Sequence, residues 1–152
     1  MRLFKQVHNT NCKSGFEIVL TPYCMGIEVL EDPVLHGERS NCKFLMDQIK
    51  QLVSNRYMWN TFYNHIYITI DFTNIKRVSV SFLGALTYLL GKYTAAAEIK
   101  ERVRFINTSG LSQMSKLALK EWDGYLDNLS IKQAKQLRKI KQANKHKTKG
   151  AC

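Results

Sequence analysis

Eight residues constrain this chain more than any others: HIYITIDF, residues 65–72, carries β-branched and aromatic side chains at both odd and even positions. A strand that is apolar on one side only can lie on a solvated sheet; one that is apolar on both belongs in the middle of a sheet covered on its two faces. The periodicity changes after it. Residues 80–97 read as a helix, RVRFIN at 102–107 as a strand, and a second helix begins near Ser112. This order predicts α/β layering, with 66–72 and 102–107 paired in parallel through a right-handed crossover.

Upstream, RLFKQVH at 2–8 fits an N-terminal strand, and FEIVLTPYCMGIEVL at 16–30 fits two short strands around a turn at 22–26. EDPVLHGERSN, 31–41, is loop by composition, and Ser40 or Asn41 would cap the next helix. Phe44, Leu45, Gln48, Ile49, Leu52 and Val53 recur at helical spacing, which predicts that this helix is amphipathic and runs over 42–56, with Lys43, Asp47 and Lys50 outside. The whole reads as one α/β domain over 1–129.

On a helical projection of residues 80–93, Phe82, Leu83, Leu86, Leu89, Leu90 and Tyr93 form a broad apolar face that must meet the sheet. The opposite flank takes Ser81, Gly84, Tyr88 and Gly91. Each interior glycine costs a helix about 1 kcal/mol against alanine, so two of them call for a close approach by another backbone. Either a neighbouring helix of the same domain or a docked partner would supply it. Ser79 and Ser81 stand at the helix start, where one serine suffices as an N-cap.

The net charge of +11 is unevenly spread. Residues 130–152 hold eight lysines and arginines and no acid; the first 129 residues carry 15 basic and 12 acidic side chains. The basicity therefore belongs to a C-terminal extension. Ile131, Ala134, Leu137 and Ile140 give it a thin apolar stripe, so it is expected to be a fraying helix that becomes disordered beyond Gln142. Cys12, Cys24, Cys42 and Cys152 include no CxxC pair, and the spacings of His8 to Cys12 and His36 to Cys42 do not make a zinc signature, so no metal and no cofactor are expected. The apolar run 82–90 is broken by Gly84 and Thr87 and is far shorter than the roughly 20 residues that span a bilayer. The N-terminus lacks a secretory pattern, and a cytoplasmic location follows as the default expectation.

The stretch from Ile66 to Tyr125, through RVSVSFLGALTYLLGKY and RVRFINTSGLSQMSKLALKEW, resembles the STAS domain shared by anti-sigma-factor antagonists and the cytoplasmic ends of sulfate transporters. It is closer still to STAS-like domains of unknown function that keep a Ser-Phe pair at the turn and often occur beside a histidine-kinase-type ATPase. In that family a strand ends in an Asp-Ser-Ser-Gly-Leu-type turn that caps a helix. Aligning Leu83-Gly84 with the family's Leu-Gly puts Ser79 at its Asp, Val80 at its phosphoacceptor Ser and Ser81 at its second Ser. The regulated hydroxyl is thus replaced, and any phosphorylation would fall on Ser81 or Ser79.

The resemblance implies a mixed central sheet with helices packed on it, and a non-enzymatic regulator that docks a kinase-like ATPase through Ser79, Ser81, Gly84, Tyr88 and Gly91. The loop NTSGLSQ, with Asn107 and Ser109, lies at the end of the neighbouring parallel strand and would border the same crevice. An enzyme finds little support: Asp71 is the sole acid between residues 48 and 97, and no GxSxG elbow is present. The competing reading is nucleic-acid binding through Lys132, Lys135, Arg138, Lys139 and Lys141, directed at phosphates because the extension has no aromatic residue on which bases could stack.

Overall fold

The computed structural model describes residues 4–7, 15–32, 41–55, 59 and 65–149. The expected cap at Ser40, the loop residues 33–39, and His8, Cys12, His36 and Cys152 lie outside them.

A mixed α/β fold is built on a four-stranded sheet. Strands β1 (Phe4–Val7) and β2 (Gly15–Leu20) pair antiparallel; β2 then pairs in parallel with β4 (His65–Asp71), and β4 in parallel with β6 (Val103–Ile106). The sheet order is β1-β2-β4-β6, which puts the 65–72 segment in the interior. A second, two-stranded parallel sheet joins β3 (Val29–Leu30) to β5 (Arg77–Val78). Among the described residues the α-helices are α1 (Asn41–Ser54), α2 (Val80–Gly91), α3 (Ala96–Arg102), α4 (Gln113–Lys120) and α5 (Trp122–Lys149), with a 3-10 turn at Pro22–Met25.

Register explains why β4 is buried on both faces. Ile18 pairs with Ile68 and Leu20 with Ile70 on one side, Val103 with Ile68 and Phe105 with Ile70 on the other. With strand side chains alternating, these residues share one face, and it packs with Leu45, Ile49, Phe82, Leu86 and Leu126 in a single core. Phe72, Phe105 and Trp122 close one end of that core edge to face, at centroid distances of 5.4 and 5.2 Å. The other face is also buried at Tyr67 and Thr69, but it is held by polar contacts. Thr69 Oγ1 donates to Glu17 Oε2 at 3.0 Å, and the Arg104 guanidinium lies 5.3 Å from the centre of the Tyr67 ring.

Three sequence expectations are corrected. The helix expected over 80–97 is two helices, broken over residues 92–95. Side chains from distant segments hold the break: Trp59 Nε1 donates to Thr94 Oγ1 at 3.2 Å, and Gln133 Nε2 donates to the carbonyls of Gly91 and Thr94 at 3.2 and 3.0 Å. Gln133 Oε1 then accepts the Ala96 amide at 3.1 Å, giving α3 the cap that Ala95 lacks. Tyr93 consequently falls in the turn and stays exposed instead of completing the apolar face of α2.

Arg102 is the last residue of α3, not the first of the strand, and it is 1% exposed. Its Nε donates to the Ile66 carbonyl at 2.9 Å, another guanidinium nitrogen donates to the Trp59 carbonyl, and the group stacks 3.6 Å from the centre of the Trp59 ring. Burial lowers its pKa from the ordinary arginine value, against the opposing pull of Glu98, whose carboxylate lies 3.6 Å away.

The third correction concerns the extension. Helix α5 does not give way to disorder beyond Gln142 but continues to Lys149. Lysine, glutamine and alanine are good helix formers, and no proline or glycine interrupts them between Gly124 and Gly150. Among the described residues no helix is long and apolar enough to cross a membrane.

Candidate functional site

The loop that leaves β4 is shaped by one carboxylate. Asp71 Oδ1 accepts from the Thr73 amide at 2.9 Å, from the Thr73 hydroxyl at 2.6 Å and from Asn107 Nδ2 at 2.9 Å. Partial burial pushes the Asp71 pKa up, but the three donors outweigh it and hold the carboxyl below its usual range. Asn74 and Asn107 both adopt left-handed backbone, with φ of 61° and 57°, a conformation that asparagine tolerates well. Asn107 thus turns back to Asp71 and fastens the two parallel strand ends together. Ser109 is exposed in the turn that comes next.

The short sheet β3–β5 sets the start of α2. The Ser79 amide donates to the Leu30 carbonyl at 2.9 Å, so the chain enters the helix directly from β5. Ser79 is the N-cap, its hydroxyl accepting the Phe82 amide at 3.0 Å, and the Ser81 hydroxyl lies 2.9 Å from it. Helix α4 starts in the same way beside it. Ser112 accepts the Ser115 amide at 3.3 Å and shares a 2.8 Å hydroxyl contact with Ser115, whose hydroxyl also accepts the Val78 amide at 2.8 Å. Because Ser115 is buried, this last bond locks the two helix starts to each other.

Between them lies a depression of about 320 Å³ lined by both serine pairs. Its ionisable side chains are Glu31 and Arg77. Two large apolar side chains stand at its rim: Val80, the first residue of α2, is 56% exposed and Met114 is 79% exposed.

The rest of the expected flank belongs to another concavity. Gly84, Tyr88 and Gly91 line a groove of about 440 Å³ between α2 and α5, with Tyr125, Leu129 and Lys132 opposite. Tyr88 is 68% exposed there, and the Lys92 ammonium lies 4.4 Å from the centre of its ring. The two glycines have different reasons. A Cβ on Gly91 would come within 2.6 Å of Leu129 Cδ1, so this glycine admits α5; a Cβ on Gly84 would meet nothing within 4 Å. Close approach within the domain therefore accounts for Gly91 and leaves Gly84 open.

Ser79 and Ser81 thus stand together, as do Gly84, Tyr88 and Gly91, while Asn107 and Ser109 line neither concavity. Sequence reasoning missed Ser115, Arg77, Val80 and Met114. The spacing Ser112-x-x-Ser115 at a helix start was the available signal for the first. Val80 carried only its place at the phosphoacceptor position of the resembled family, and Met114 none, since an apolar residue in a first turn reads equally as core. Cys42 is buried, its thiol lying 3.4 Å from the Glu31 amide and 3.5 Å from the Val29 carbonyl, and the described residues hold no cluster of His, Cys, Asp or Glu able to bind a metal. Comparisons with protein-family models, with curated proteins and with solved structures return no match for this chain.

Proposed function

We propose that the chain is a STAS-like, non-enzymatic regulatory module that docks a partner protein at the depression between the starts of α2 and α4, and that the partner is a histidine-kinase-type ATPase. One observation carries this reading: Val80 and Met114 present exposed apolar surface at two capped helix starts that the bond from the Val78 amide to Ser115 ties together. Exposed apolar side chains framed by polar groups are the usual make-up of an interface centre and rim.

The capped helix after β4, succeeded by a parallel strand and a second capped helix, supports the STAS resemblance over residues 65–120. The resemblance also gives Val80 a meaning. It occupies the phosphoacceptor position of the family pattern, so docking here is constitutive where the family's is switched by phosphate. Ser81 is the nearest hydroxyl, and a phosphate on it would bring about two negative charges to the same rim.

The test is affinity capture from native extract with the wild-type chain, Val80→Arg and Gly84→Arg, each checked for folding by circular dichroism. Capture of an ATPase-fold protein by the wild type, its loss with Val80→Arg and its retention with Gly84→Arg is the expected pattern. Identical capture by all three chains would overturn the proposed site.

A further inference from the structure

We propose that the part of α5 from Lys132 onward is a binding element for duplex DNA, lying in the major groove with its cationic half against the phosphates. This inference is independent of the docking site above.

At about 100° per residue, Lys132, Lys135, Arg138, Lys139, Lys141 and Lys145 all fall within one half of the α5 circumference, and all are exposed. Gln133, Gln136, Leu137, Ile140 and Ala143 fall in the other half. That second half continues the line of Trp122, Leu126 and Leu129, which packs on the domain. At its root the domain therefore turns the neutral side of the helix inward, while farther along Leu137 and Ile140 of that side are exposed. Leu129 against Gly91 and the three hydrogen bonds of Gln133 anchor the root of the projecting segment.

Charge and shape choose the ligand. The extension carries no acid, and Lys135 with Lys139 and Lys141 with Lys145 are like-charge pairs at i,i+4, which weaken a free helix and are relieved beside a polyanion. An α-helix of about 10–12 Å diameter matches a B-DNA major groove about 12 Å wide. The A-form major groove of RNA is too deep and narrow for the same fit. A lipid surface is disfavoured because Leu137 and Ile140, both exposed, are the only large apolar side chains after Gln133, too few for the apolar face that holds a helix in a bilayer surface. With no aromatic residue in the extension, recognition rests on phosphates and is indifferent to sequence.

The experiment is fluorescence anisotropy of a labelled mixed-sequence duplex of about 20 base pairs, titrated with the full chain between about 50 and 200 mM salt. Six phosphate contacts predict a slope of log K against log salt near about −5, roughly a thousandfold loss of affinity across that range. Lys135→Gln/Arg138→Gln/Lys139→Gln should cut the slope to about half. Two controls should leave it in place: Leu137→Ser/Ile140→Ser on the opposite half, and Lys43→Gln/Lys50→Gln/Lys120→Gln, which removes the same charge from the body. The proposal is overturned if the body triple weakens binding as much as the α5 triple, if duplex DNA does not bind, or if the chain is retained by phosphatidylserine vesicles and not by the duplex.

Discussion

Replacing Gly84 and Gly91 in turn by alanine should give opposite results, although both glycines lie on α2. At position 84 the new methyl group meets no atom within 4 Å, so the change is one of helix propensity alone. Alanine is favoured over glycine by about 1 kcal/mol inside a helix. In a chain of this size that raises Tm by about 2–4 °C.

At position 91 the same methyl would lie 2.6, 3.1 and 3.4 Å from Leu129 Cδ1, Cδ2 and Cγ. Leu129 must rotate or α5 must move outward, and overpacking of this kind costs about 1–3 kcal/mol. The propensity gain is smaller at the last residue of a helix, so the net effect is a loss of up to about 2 kcal/mol. Thermal and urea unfolding monitored by far-ultraviolet circular dichroism measure both. Repeating Gly91→Ala in a Leu129→Ala background completes a double-mutant cycle, and there the loss should disappear. Equal gains at the two positions, or a cycle without coupling, would refute the account of why this helix carries two glycines.

Ser79→Ala should cost about 1 kcal/mol because it removes the α2 N-cap, whereas Ser81→Ala, which loses only a hydroxyl contact to Ser79, should change urea stability by less than half of that. Arg102→Met should cost about 3 kcal/mol or more in the same assay, since two buried carbonyls, of Ile66 and Trp59, lose charged donors. Asp71 sets a pH dependence. Its folded pKa lies below the unfolded value of about 3.9, so its contribution is full above that pH and is lost as pH falls through the folded pKa. Asp71→Asn should therefore destabilise the chain at pH 6, and its difference from wild type should shrink as pH falls through the acid range, as read by urea midpoints.

The parts of the fold legible in the sequence are those that local chemistry dictates. The double-sided apolar pattern of 65–72 named the interior strand, the serines at 79 and 81 announced a cap, which Ser79 supplies, and Ser112 marked the next helix. The parts that were not legible depend on partners far along the chain. Residues 80–97 have no internal reason to break at 92–95; the reason comes from Trp59 and Gln133. Arg102, in the charged run KERVR, reads as a surface residue until the Ile66 and Trp59 carbonyls are placed around it. The strands β3 and β5 are two residues each, too short to show any periodicity, yet they bring the two serine-capped helix starts side by side. The depression is thus a product of tertiary packing, and of its two serine pairs only Ser79 and Ser81 were named in advance as site residues.

Gln133 also dictates an order of events during folding. Helix α3 has seven residues, too few to persist alone in water, and its first amide finds its acceptor only when a glutamine 37 positions downstream arrives. The corner between α2 and α3 therefore gains its Gln133 hydrogen bonds only once α5 is docked. On a ribosome that corner stays open until the start of the basic segment has emerged, and a chain cut after Leu129 would reach its folded core with that corner still unfastened.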